Sequence, residues 1–98
     1  METQKTIADW ADDTFGPALD PGDLVTRAAD ELEELLEAVQ KADKQEIGKE
    51  AADVVILLMR VMELNGLNLH DEVDKKMQIN RSRTWVSKGD GTGSHIKG

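Results

Sequence analysis

The chain has 98 residues and a net charge of −8, from 12 basic and 20 acidic side chains, which suits one small domain with a limited core of its own. With no cysteine, and with His70 and His95 at no ligand spacing, disulfides, thiolate sites and structural zinc are excluded, and hard oxygen chemistry remains. The acidic balance disfavours nucleic acid and anionic membrane as partners. A nucleotide substrate stays open, because bound cations reverse the local sign. No apolar stretch follows the polar Met1–Thr6, and the apolar run Val54–Met59 is far shorter than the ~20 residues of a membrane span. A soluble, cytoplasmic protein is expected.

β-branched alternation is absent, which predicts an all-α fold. A first helix, about Lys5 to Phe15, carries Ile7, Trp10, Ala11, Thr14 and Phe15 at helical spacing and stops at Gly16-Pro17. Asp20-Pro21-Gly22-Asp23 then starts a second helix, with an acid at the cap and proline at the first helical position. This helix runs to about Lys41, with Leu24, Ala28, Leu32, Leu35 and Val39 as its apolar stripe. Asp30, Glu34 and Glu37 lie nearly opposite that stripe, which on its own describes a solvated face.

A third helix begins near Asp43, with Glu46 at capping-box spacing, and ends at Asn65-Gly66. Between Asp53 and Leu64 only Arg60 and Glu63 are polar, so the helix is expected to be buried nearly all round. Glu50 and Asp53 share the side continued by Val54, Leu57, Val61 and Leu64, and no basic residue of this helix is expected to face them. Carboxylates on an apolar side require a partner or a metal ion. A fold-back near Asp43-Lys44 would set Glu34 opposite Asp53 and Glu37 opposite Glu50. Four carboxylates would then converge, a set suited to Mg²⁺ or Mn²⁺.

The apolar surface left over on the second and third helices exceeds what one small chain covers. A homodimer or homotetramer completing a four-helix-type antiparallel bundle is therefore expected. A fourth helix is predicted from about Leu69 to Trp85, capped by Asn68, with Lys76, Asn80 and Arg83 on one face. Those three suit phosphates. Glu33, beside the acids, suits the orientation or deprotonation of a water, and Trp10 or Phe15 suits stacking on a base. The plainer alternatives are solvated surface for Glu33 and the Lys76 face, and core for the two aromatics. From about residue 86 the glycines predict a flexible tail to a single domain spanning 1–98.

Glu33-Glu34-Leu35-Leu36-Glu37, twelve intervening residues, and Glu50-Ala51-Ala52-Asp53 resemble the paired acidic signature of the MazG-type all-α NTP pyrophosphatases. Val54-Val55-Ile56-Leu57-Leu58 resembles the apolar run after that family's aspartate. The segment from Lys76 through Asn80 and Arg83 to Trp85 resembles the basic segment of small, often phage-encoded members acting on purine deoxynucleotides. The resemblance implies hydrolysis of a nucleoside triphosphate between the α and β phosphates. It further implies Glu34, Glu37, Glu50 and Asp53 as Mg²⁺ ligands, and Glu33 as a further ligand or the base. Dimers or tetramers are implied as well, in the host cytoplasm if the chain is phage-encoded. The same fold acting on dUTP, dCTP, phosphoribosyl-ATP or a non-canonical nucleotide is one alternative, and a non-enzymatic acidic helical interaction module is another.

Overall fold

The computed structural model describes residues 1–97. Four helices come first, α1 (Gln4–Phe15), α2 (Pro21–Gln40), α3 (Lys44–Leu64) and α4 (Leu69–Ser82), followed by β1 (Thr84–Ser87) and β2 (Gly93–Ile96). Local chemistry explains most boundaries. Thr3 and Thr6 form a reciprocal capping box at the start of α1. The Asp20, Asp43 and Asn68 side chains accept from the backbone N–H of Gly22, Glu46 and Asp71, capping α2, α3 and α4.

The connection between α2 and α3 is as short as two helices allow. The N–H of Ala42 donates to Val39 O at 3.0 Å and that of Asp43 to Ala38 O at 3.1 Å, the bond pair of a Schellman turn. Asp43 then caps α3 at once. Ala42 sits in the left-handed region at φ 55°, where its Cβ is crowded. The end of α3 has the same bond pair, Gly66 N to Glu63 O and Leu67 N to Met62 O, but there Gly66 takes the positive φ.

α2 and α3 fold back on each other and α1 packs on α3. Among the described residues the buried apolar ones are Ala8, Ala11, Leu24, Ala28, Ala38 and Val54, and no large side chain is fully buried. Gln4 is the one buried polar residue among the described residues: its Nε2 donates to Glu63 Oε1 (2.9 Å) and Leu67 O (2.7 Å), and its Oε1 accepts from Leu69 N (2.8 Å). That amide ties the start of α1 to the α3–α4 connection. α4 has no buried residue and extends from the body as an arm. The radius of gyration, 16.1 Å, exceeds the ~13 Å of a compact chain this long. The accessible surface, 7523 Å², is also above the ~5,500 Å² of a compact monomer of this mass.

The expected all-α class and flexible tail need correction, because the C-terminal segment is an antiparallel hairpin pairing Thr84 with Ile96, Trp85 with His95, Val86 with Ser94 and Ser87 with Gly93. Its loop is held by Asp90, whose Oδ1 accepts from Thr92 N (2.9 Å) and Thr92 Oγ1 (2.7 Å), and by positive φ at Gly89 and Gly91. A Cβ at Gly93 would stand 2.3 Å from Val86 O, so that glycine permits the strands' close approach. The Trp85 indole donates to Asn80 O at 2.8 Å and anchors the hairpin on α4. This segment also ends α4 at Ser82, three residues before the expected Trp85.

The backbone at Ala42 yields a direct test. Ala42→Gly should stabilise the protein by about 1 kcal/mol by relieving the left-handed alanine, read as a higher midpoint in urea unfolding. An unchanged or lower midpoint would show that the turn carries no strain.

Candidate active site

The turn at Ala42 decides which acids meet. It lies one to two residues before the expected fold-back, so the facing register moves by three residues, nearly one helical turn. Glu31, Glu50 and Asp53 come together, each offering a carboxylate oxygen within 4.8 Å of the others, and Glu34 stands close enough to Glu50 to raise its pKa. The expected facing pairs, Glu34 with Asp53 and Glu37 with Glu50, are therefore corrected to Glu31 with Asp53 and Glu34 with Glu50. Glu37 lines the groove beyond them, with Glu34, Ala38, Lys41, Asp43, Glu46 and Glu50. Glu33 is exposed and lines neither this groove nor the cavity beside it.

Glu50 is the electrostatic centre. Its pKa is raised from 4.5 to about 7, first by a hydrogen bond shared with Glu31, then by desolvation and by the neighbouring Glu34. Its Oε2 is buried and has no hydrogen-bond donor. A carboxylate oxygen out of water and facing other carboxylates requires a proton or a cation. This all-oxygen donor set fits a hard divalent ion. Glu31, Glu50 and Asp53 would hold it, with Glu34 adjoining.

Beside Glu31 and Asp53 opens a cavity of about 450 Å³, lined also by Trp10, Phe15, Leu24, Arg27, Ile56, Leu57 and Arg60. Trp10 and Phe15 meet edge to face, with centroids 5.5 Å apart at 85°. Both are exposed, so neither is core. Arg60 follows Asp53 by two helical turns and lines the same cavity, with its guanidinium over the Phe15 ring. Lys76, Asn80 and Arg83 lie on α4 and its C-cap and line neither space. The Asn80 Oδ1 is buried without a partner.

Known proteins resemble this chain in sequence and fold. A family described as dATP/dGTP pyrophosphohydrolase matches residues 3–98. A dATP/dGTP diphosphohydrolase of Cyanophage S-2L is 31% identical over 99% of this chain and 88% of its own length. The chain belongs to the dATP/dGTP pyrophosphohydrolase family. A dATP/dGTP diphosphohydrolase of Salmonella phage PMBT28 is 38% identical over 97% of the chain, which spans 31% of that relative's length. A solved structure, the Cyanophage S-2L MazG-like pyrophosphohydrolase bound to dGDP and three catalytic Mn²⁺ ions per active site, superposes with a TM-score of 0.79 at 30% identity, covering 97% of this chain and 90% of that one.

Within this family member, sequence reasoning missed Glu31, Arg27 and Arg60 as lining residues. The signal for Glu31 was present: Glu31-x-x-Glu34 has the spacing of Glu50-x-x-Asp53 and overlaps the Glu34-x-x-Glu37 frame taken instead. Nothing but the position of the turn separates the two frames. No helix among the described residues is long and apolar enough to cross a membrane.

The raised pKa of Glu50 has a definite sign. The folded state holds this proton more tightly than the unfolded chain, so the stabilisation is complete below pH 4.5 and is lost as pH rises to about 7. Divalent ions need the ionised form and compete with that proton. The Mn²⁺-induced rise in Tm should be small at pH 5.5 and grow as pH passes about 7. In Glu50→Gln the rise should be largely lost at every pH. An equal rise at pH 5.5 and 8 in the unmodified protein would rule out this coupling.

Proposed function

We propose that the chain hydrolyses purine deoxynucleoside triphosphates, dGTP or dATP, between the α and β phosphates, releasing the monophosphate and pyrophosphate. The observation that carries this reading is the convergence of Glu31, Glu50 and Asp53 within 4.8 Å at one end of a cavity whose other wall is aromatic and apolar. Charge at one end and flat apolar surface at the other match the two ends of a nucleotide. Divalent cations, Mg²⁺ or Mn²⁺, would supply charge neutralisation at the phosphates and polarisation of the α-phosphorus. Glu31, Glu34, Glu50 and Asp53 anchor that end, with Glu37 next along the groove.

The residues divide the remaining work. Glu50 carries a proton near neutrality in the empty site and gives it up when cations bind, so that it serves as an anchor in the ionised form. Trp10 and Phe15 form the wall for the base. Lys76, Asn80 and Arg83 lie on an arm away from the acids, so within one copy they do not meet the phosphates. Asp53→Asn should leave the fold intact and lower pyrophosphate release from dGTP by at least ~10²-fold, since it removes an anchor needed throughout the reaction. Full activity in that variant, or orthophosphate as the direct product, would overturn the assignment.

The chain functions as a homodimer or homotetramer. On α2, Val25, Leu32, Leu36 and Val39 form one stripe, and every one of them is more than half exposed. An apolar stripe of that length on an elongated chain with an alanine-rich core calls for a second copy. Sedimentation should give a multiple of 10.8 kDa, and Leu32→Glu with Leu36→Glu should lower it. A monomer at micromolar concentration would exclude this assembly.

A further inference from the structure

We propose that Arg60 reads the base, donating from its guanidinium to the N7 and O6 edge of a purine and favouring guanine over adenine. This rests on the nucleotide reading given above. Position is the first argument. Arg60 lies on the same face of α3 as Asp53, about 10 Å along the helix axis at 1.5 Å per residue. That is the scale of the span from an α-phosphate held at the acids, across a deoxyribose, to the far edge of a purine. Trp10, Phe15 and Arg60 line the same cavity as Glu31 and Asp53.

The second argument is that the donors of Arg60 are uncommitted. Ion pairs among the described residues join Lys5 to Asp9, Lys49 to Glu46, His70 to Asp74 and Lys75 to Glu72. In a chain with 20 acids, the half-buried Arg60 has none. Asp12 and Glu63 line a smaller space together with Arg60 and form no ion pair with it. The guanidinium carbon sits 5.8 Å from the Phe15 ring centroid. That contact steadies the group against the ring and leaves the fork of donors at its edge open to a planar acceptor.

The third argument is chemical. N7 is an acceptor in both purines, O6 is a second acceptor in guanine alone, and adenine presents an amino donor in its place. Pyrimidines offer no N7. An arginine aimed at this edge therefore admits both purines and gains its second bond only with guanine. Were Arg60 instead a phosphate contact, its loss would weaken every triphosphate equally.

The experiment compares kcat/KM for dGTP, dATP, dCTP and 7-deaza-dGTP in the unmodified protein and in Arg60→Met, which keeps an unbranched stem against Phe15. The unmodified protein should lose at least ~10-fold on 7-deaza-dGTP. Arg60→Met should lose ~10- to 100-fold on dGTP, much less on dATP, and should no longer distinguish dGTP from 7-deaza-dGTP. Equilibrium binding of dGDP and 7-deaza-dGDP should show the same pattern. A uniform loss on all four substrates, or an unchanged dGTP-to-dATP ratio, overturns the role of Arg60 while leaving the reaction standing. Equal turnover of dGTP and 7-deaza-dGTP by the unmodified protein overturns it even if the variant fails to fold. If the unmodified protein releases no pyrophosphate from any purine substrate, the reaction and this role fall together.

Discussion

Everything at the site depends on where the chain reverses between α2 and α3. A Schellman turn ending one helix and an aspartate cap starting the next share adjoining residues, so little slack separates the two helices. Helix periodicity then leaves no freedom in which side chains face each other. A reversal one to two residues earlier moves the facing register by three and puts Glu31 in the cluster in place of Glu37. The chain tolerates an alanine at φ 55° to hold this register, where the equivalent position of the next turn is a glycine.

Opposing demands meet along the α2–α3 groove. Bringing carboxylates together opposes folding, and Glu50, half-buried with an oxygen lacking any donor, concentrates that penalty. The core that must offset it is slight, because the buried apolar side chains are mostly alanines. Small side chains let the helices approach closely, which sharpens the convergence of the acids but contributes little apolar burial. On the reading proposed above, cations at the carboxylates and further copies of the chain at the exposed α2 stripe would relieve these two deficits separately. Binding at the site and assembly would then each add to stability.

Much of the fold was legible from short-range chemistry. Asp20, Asp43 and Asn68 announce helix starts because a cap acts over two or three residues, and Gly66 announces an end because only a few residue types accept its backbone angle. The hairpin was not legible. Its strands are four residues each, too short for alternation to register, and its glycines read equally as slack or as turn. At the site, Glu50 and Asp53 stood out because they interrupt an apolar helix. Glu31 did not, because α2 is rich in acids and its repeated glutamates supply two frames of identical spacing. Arg27 and Arg60 were hidden for a different reason: they matter through a cavity wall that α1 supplies, and contacts between distant segments leave no mark in local spacing.

The amide of Gln4 has a mechanical consequence. Three hydrogen bonds from one buried side chain reach α3, the α3–α4 connection and the first residue of α4. α1 carries Trp10 and Phe15, so any outward swing of these rings about the start of α1 works against that junction. Such a swing also uncovers Ala8 and Ala11, which are buried against the body. The aromatic wall is therefore part of the frame and not a lid. Whatever enters meets a slot whose width is already set.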